Sequence, residues 1–558
     1  MQSALHLPVA ARPRRLPSLR ALALLAAALI AAPLLSVAFN VFTPGTAGTW
    51  QHLLATVLPD YVVATLWLCV GVGIGVAVLG VGAAWLVTRY EFPLRGSFEW
   101  ALLLPLAMPA YVMAYAYTDL LQFVGPVQSW LRESFGWRRG DYWFPDVRSL
   151  GGAIAMFSLV LYPYVYMLAR TAFMERAGGM IEVGRTLGLT PFQAFHRLSL
   201  PLARPAIAGG VALALMETLA DYGTVSYFAV QTFTTGIYRA WFSLGDRTAA
   251  AQLAMVLLLF VVMVLALEKL SRGGSRFADS TLRSRGVMRV PLQGPRAALA
   301  LLACALPLAG GFLLPAGVML HMALTEGDAQ WGTRFFTLAG NSVLVAGATS
   351  LLATALALLI AYAGRVDQSA PTRWAHRVAG LGYALPGSVI AVGVLIPVTQ
   401  LDHALAALLR QGFGIDAGLL LTGTIAALVY ACVVRYLTAA LQAMDAGLAR
   451  ITPRMEQAAR TLGHTPAQTL WRVHLPLLRG SALTAGLLVF IDVMKELPAT
   501  LVMRPFNFDT LATQAYTLAS DERLAEASTS ALAIVVVGLV PMVVLCRHIV
   551  RGTSSHGT

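Results

Sequence analysis

The sequence predicts an all-α polytopic membrane protein built of two parallel six-helix repeats, about twelve membrane helices in total, and three observations predict it. Of 558 residues, 58% are hydrophobic and only 12% charged, with mean hydropathy +0.70, far more apolar than a soluble chain of this length needs. Apolar runs long enough to cross about 30 Å of hydrocarbon recur along the whole chain. A short polar hinge occurs twice: Arg185 to Pro201 reads RTLGLTPFQAFHRLSLP, and 275 residues later Arg460 to Pro476 reads RTLGHTPAQTLWRVHLP.

In chain order, the first six runs lie near Leu22 to Val41, Val62 to Val87, Trp100 to Leu121, Gly152 to Leu168, Ala206 to Ala229 and Ala249 to Leu267. The second six lie near Ala297 to Leu320, Ser342 to Ala363, Val378 to Gln400, Leu419 to Val434, Ser481 to Val502 and Ser528 to Cys546. An even number of spans per half makes both halves enter the membrane with the same orientation. Most Lys and Arg residues fall on the side of the N-terminal arginines Arg12, Arg14, Arg15 and Arg20, which places both termini in the cytoplasm. The first run reads as an anchor, being long for a signal-peptide core and lacking a small-residue cleavage site before Val41.

The chain thus divides into a first repeat, 1–270, with its hinge loop at about 176–202, and a second, 296–558, with its loop at about 450–477. Between them, 271–295 is rich in Arg, Gly and Ser without an apolar stripe, and reads as a cytoplasmic linker. Further correspondences join the halves: LPLAMPA (Leu104 to Ala110) with GYALPG (Gly382 to Gly387), Tyr162 and Arg170 with Tyr430 and Arg435, and Asp246 with Asp521.

The net charge of +13 raises the question of nucleic acid. Its basic residues are spread along loops beside spans, where topology and anionic lipid headgroups account for them, so no nucleic-acid partner is expected. Cys69, Cys304, Cys432 and Cys546 each stand alone in an apolar run, without metal or disulfide spacing. The two lysines, Lys269 and Lys495, are followed by Leu270 and Glu496, so neither sits in a phosphate-binding G-x-x-x-x-G-K-[ST] loop. ATP hydrolysis would need a separate subunit. No H-E-x-x-H or G-x-S-x-G pattern is present, which argues against an intramembrane hydrolase.

The hinge is a helix–turn–helix element written in turn chemistry. Gly188 and Gly463 supply the left-handed residue that ends a helix. Thr190 and Thr465 cap the next one, Pro191 and Pro466 fit its first position, and Gln193 and Gln468 stand where a capping-box partner belongs. Phe192, Phe195 and Leu198, with Leu470 and Val473 in the second copy, form an apolar stripe in need of a partner. Pro201 and Pro476 are expected to stop the short helix and turn the chain into the next span.

At these residues the chain resembles the inner-membrane permeases of binding-protein-dependent ABC importers. The signature of that family is a cytoplasmic loop reading roughly E-A-A, three residues, G, nine residues, I-x-L-P. Glu182, Gly188 and Leu198 to Pro201 follow it in order, and Ala458, Ala459, Gly463 and Val473 to Pro476 follow it in the second copy. Departures are Val183 and Gly184 for the two alanines, and Gln457 at the glutamate position with Glu456 one residue earlier. The resemblance implies a coupling helix docking on an ATPase subunit, and so assigns that role to Glu182, Gly188, Thr190, Pro191, Phe195 and Pro201, and to Glu456, Gly463, Thr465, Pro466, Leu470 and Pro476. It covers nearly the whole chain, and METLADYGTVSYF (Met216 to Phe228) with DVMKELPAT (Asp492 to Thr500) is most similar to the ferric-iron branch, fused double-permease type. It implies a bacterial inner-membrane location, two ABC ATPase subunits holding ATP and Mg, a periplasmic solute-binding protein, and no cofactor bound by this chain. Fused thiamine and phosphonate permeases share the layout, and a twelve-span secondary transporter is the rival class.

Ionisable groups within spans are costly and point to function. Glu217 and Asp221 match Asp492 and Glu496 at the 275-residue offset, each pair spaced i, i+4 and so expected on one helix face. Together with Tyr222 they are the candidate translocation path or gate, offering the oxygen ligands that hard Fe(III) prefers, with structural pairing, for instance to Lys495, as the alternative. No fixed metal site is expected.

Overall fold

The computed structural model describes residues 17–40, 47–186, 188–272, 289–325, 332–382, 385–416 and 418–554. The described chain is almost wholly helical. Its only β-pairing among the described residues is a two-residue parallel bridge, Tyr90 opposite Val290 and Glu91 opposite Pro291. Most of the expected linker, 273–288, lies outside the described residues.

Ten described helices are long and apolar enough to cross a membrane, and a pair bent by 92°, Arg95–Ala107 with Ala110–Phe135, makes an eleventh. The twelfth expected run, Ser528 to Cys546, falls within the Leu524–Ser554 helix, of which Leu524–Val540 is the described apolar part. Besides the fifth and eleventh expected spans, whose helices end early at Ala220 and Met494, three differ in shape. The third is the bent pair, because Pro105 and Pro109 interrupt backbone bonding across LPLAMPA. The ninth starts only at Gly387, where extended Pro386 precedes the helix, and runs on to Phe413. The tenth starts at Ile425 rather than Leu419, because the N–H groups of Leu420, Leu421 and Thr422 turn to the buried Asp402 carboxylate instead of entering a helix.

The chain forms two compact units. One gathers Met1–Leu35, Ala346–Tyr383 and Val429–Val493. Polar side chains tie its helices: Ser350 Oγ donates to Gly486 O at 2.7 Å, and Arg365 donates to Leu448 O and Ile451 O, both at 2.7 Å. Gly447 permits a close crossing there, since a Cβ would stand 2.4 Å from Ser481 Oγ.

The other unit gathers Ser36–Val345, Ala384–Leu428 and Met494–Thr558. Its Leu58–Arg89 helix packs along Leu150–Thr186. The contact face, Leu68, Val72, Val76, Gly80 and Ala83, repeats at helical spacing, and Val63, Trp67, Val70, Ile74 and Val78 on the other faces are exposed, as lipid-facing positions are. At Gly80 a Cβ would stand 2.9 Å from Tyr162 O, so only glycine lets the backbones approach. Tyr61, Phe233, Leu253, Leu257, Val389 and Val392 belong to the apolar core of this unit.

Candidate functional site

Both hinges close in the same way. Gly188 has φ +77° and Gly463 φ +81°, the left-handed conformation that ends the preceding helix. A reciprocal capping box follows in each. Thr190 N–H donates to Gln193 Oε1 at 3.0 Å while Gln193 N–H donates to Thr190 Oγ1 at 3.3 Å. Thr465 N–H donates to Gln468 Oε1 at 2.9 Å, and Gln468 N–H to Thr465 Oγ1 at 3.3 Å.

Pro201 and Pro476 do not stop the short helices. Each short helix continues through one π turn, Phe195–Ser199 or Leu470–His474, into the next long helix. The continuous segments are Phe192–Ala220 and Leu470–Met494. The physical reason is local. Proline lacks an N–H and its ring strikes the carbonyl four residues back, whereas a π turn immediately before it bonds five residues back, as Leu200 N–H does to Phe195 O, and shifts that carbonyl away.

The exposed rings at the two elbows are Phe192, 71% exposed, and Trp471, 69% exposed. Phe195 instead turns toward its own unit, with ring centroids 4.6 Å from Trp85 and 6.3 Å from Phe173, and Leu470 is half-buried. The side chains of Glu182, Pro191, Glu456 and Pro466 lie outside the described residues, although their backbones fall in helices. Trp471 was not among the residues expected from sequence, and its signal was a tryptophan in a polar hinge beside Arg472.

The segments between the second and third spans of each half carry a matched ion pair of opposite polarity. Glu99 Oε1 lies 3.4 Å from Arg170 Nη2, with Arg95 Nη1 at 2.6 Å, whereas His376 Nε2 lies 3.0 Å from Asp445 Oδ2. Counting back from Pro109 and Pro386, in the paired LPLAMPA and GYALPG segments, His376 occupies the position of Glu99, and Asp445, 275 residues after Arg170, takes the place of Arg435 as its counterpart. The hydrogen bond to Asp445 holds the His376 imidazolium above its usual pKa of 6.5, against the opposing effect of burial. A raised histidine pKa contributes stability that is complete below 6.5 and is lost as pH rises through the folded-state value. Melting of the detergent-purified protein is therefore expected to weaken as pH rises above about 6.5, and His376→Gln to flatten that slope.

The intramembrane acids are placed differently from expectation. The Leu200–Ala220 helix ends one residue before Asp221, and Leu475–Met494 ends two residues before Glu496, so neither i, i+4 pair shares a helix face. Each distal acid caps the short helix that follows. Asp221 Oδ1 accepts from Thr224 N–H at 2.8 Å, and Glu496 Oε1 accepts from Ala499 N–H at 2.9 Å. Capping competes with helix continuation and wins at the same position in both halves. Glu217 and Asp492 remain half-buried on the helices themselves.

The two breaks meet within one unit. A Cβ on Gly223 would stand 2.7 Å from Leu497 Cδ2 and 2.9 Å from Tyr111 Cβ. Tyr238 donates its hydroxyl to Pro498 O. Tyr222 stacks on Tyr238 with centroids 3.7 Å apart, and its hydroxyl lies 3.4 Å from that of Tyr516. Asp221, Tyr222 and Glu496 were expected from sequence, whereas Tyr111, Tyr238 and Tyr516 were not. Tyr238 and Tyr516 are themselves repeat partners, 278 residues apart, visible once a three-residue insertion is allowed.

The chain is similar to known proteins along most of its length. Residues 76–272 match the family model described as binding-protein-dependent transport system inner membrane component. The chain is 26% identical over 529 residues to the Fe(3+)-transport system permease protein FbpB 2 of Haemophilus influenzae, covering 92% of this chain and 95% of that one. It is 22% identical to the ferric transport system permease protein FbpB of Actinobacillus pleuropneumoniae, over 87% of this chain and 71% of the relative. A shorter stretch, 152 residues, is 32% identical to the sulfate transport system permease protein CysT of Escherichia coli, over 27% of this chain and 52% of that protein.

Proposed function

We propose that this chain, whose residues 76–272 match the inner membrane components of binding-protein-dependent transport systems, is the fused double permease of an ABC importer that brings ferric iron into the cytoplasm. The observation that carries the coupling role is the duplicated elbow: a left-handed glycine, a Thr–Gln capping box and a π turn, in the same order in both halves. Such an element presents a short helix of fixed direction to a partner. In this reading the partners are two ATPase subunits, which hold ATP and Mg, and a periplasmic binding protein hands over the substrate on the opposite face. Both termini and both elbows lie in the cytoplasm. Phe192 and Trp471 are the apolar contacts on the ATPase side, and the capped breaks at Asp221 and Glu496 form the gate between the repeats 1–270 and 296–558.

Iron rests on the two long-range relatives, against which the shorter match to a sulfate permease stands. The deciding experiment is uptake by a deletion strain carrying this gene with its partner subunits, comparing radiolabelled ferric iron, sulfate, thiamine and an aminophosphonate. Iron alone is expected to accumulate. Accumulation of any of the other three without iron overturns the substrate assignment and leaves the importer class standing.

A further inference from the structure

Tyr111 and Tyr115 stand one helical turn apart in the Ala110–Leu121 helix, 4% and 0% exposed, with ring centroids 5.8 Å apart. Neither hydroxyl has a hydrogen-bond partner among the described residues. A buried hydroxyl with no partner is destabilising, and two adjacent ones are not what packing alone would keep, since phenylalanine fills the same space without the cost. Tyr111 lies beside both breaks: a Cβ on Gly223, two residues after Asp221, would stand 2.9 Å from Tyr111 Cβ and 2.7 Å from Cδ2 of Leu497, the residue after Glu496.

On the outer side the series continues. Tyr115 meets Tyr227 edge-on at 4.7 Å, and Arg148 Nη2 donates to the Tyr227 hydroxyl at 3.2 Å. Arg148 also lines a cavity of about 490 Å³ with Thr118, Gln122, Gln128, Arg139 and Tyr142. Phenols therefore lead from this cavity to the capped breaks. Among the described residues no three His, Cys, Asp or Glu side chains converge on a metal-sized site, and the phenol oxygens are further hard donors beside the two acids.

We propose that Tyr111 and Tyr115, with the carboxylates of Asp221 and Glu496, form a transient passing site for the hard trivalent cation, an inference that rests on the ferric-iron reading above. Each phenol that ligates the cation releases its proton to water in the path, so the carboxylates of Asp221 and Glu496 stay ionised as ligands. No electron moves, and the iron stays ferric. The hydroxyls are ligands only while substrate passes, which is why they have no other partner.

The test uses the assembled importer, permease with its ATPase subunits and binding protein, as wild type and as Tyr111→Phe/Tyr115→Phe. Loaded with ferric citrate, the wild-type complex is expected to show visible phenolate-to-iron charge-transfer absorption that the double variant lacks. Iron uptake by reconstituted vesicles is expected to fall by about tenfold or more, as for the loss of metal-site groups. The melting temperature should hold or rise, because each ring is kept and an orphan hydroxyl removed. Tyr117→Phe, at a tyrosine on the same helix whose hydroxyl already donates to Gly310 O, keeps both the absorption and the uptake. If the double variant takes up iron and absorbs like wild type, the phenol site is wrong and the ferric reading survives. If it loses uptake only in proportion to lost folded protein, the phenols serve packing, and wild-type uptake by Tyr111→Phe alone would lead to the same conclusion. If wild type itself takes up sulfate and no iron, both fall together.

Discussion

Valine at Gly188 or at Gly463 lowers coupled transport by about tenfold while the protein still inserts and folds. Each glycine has a φ near +80°, and a Cβ there would meet nothing within 4 Å, so the penalty comes from the backbone alone. A β-branched residue held in that conformation costs about 1–3 kcal/mol, enough for the chain to choose another turn and re-aim the capped helix. Asparagine tolerates the left-handed region, so Gly188→Asn should retain most of the transport that Gly188→Val loses. Substrate uptake and binding-protein-stimulated ATPase activity, measured together in reconstituted vesicles, check it. Full activity of both valine variants would remove the elbows from the coupling mechanism.

Gly223→Val should arrest transport just beyond the far end of the helix that follows the first elbow. The glycine backbone sits against Leu497 and Tyr111, and a Cβ would enter at 2.7 Å and 2.9 Å, distances at which a neighbour must move. Overpacking of this kind costs about 1–3 kcal/mol, and here it falls between the two capped breaks, the proposed gate. We expect uptake to drop by about tenfold or more, with ATPase activity still stimulated or even released from control. Gly223→Ala is the graded comparison. Uptake in vesicles alongside melting in detergent separates a jammed gate from a lost fold, and normal uptake by the valine variant would place the path elsewhere.

What the sequence made legible was whatever is encoded within a few residues. The elbows were readable because glycine, threonine, proline and glutamine act on their immediate neighbours, and a second copy removed coincidence. The breaks were hidden. Ala206 to Ala229 is apolar enough to read as one span, yet a single carboxylate at Asp221 diverts the backbone by offering its N–H groups a cap. Leu419 to Thr422 failed for the same reason, its amides being drawn to Asp402, a residue distant in sequence. Tyr111 and Tyr115 were passed over because an aromatic ring counts as apolar until its hydroxyl is found to be stranded. The ion pairs of the two halves could not be matched by eye, since the acid and the base exchange places between Glu99–Arg170 and His376–Asp445.

The π turns have a mechanical consequence. Because Phe195–Ser199 keeps the capped elbow in line with the helix that follows, Phe192 and Ala220 are opposite ends of one rod, roughly 40 Å long at 1.5 Å per residue. The second half has its own rod, Leu470–Met494. Each has an exposed aromatic ring at or near its start, and each stops just short of an acid that caps the next helix. In the first half the described helix runs unbroken from the exposed ring of Phe192, where an ATPase would push in the proposed mechanism, to Ala220 beside the capped break. In the proposed importer a tilt of the first elbow would therefore reach Asp221 as displacement rather than be absorbed as bending, and the joint to yield would be the capped break itself.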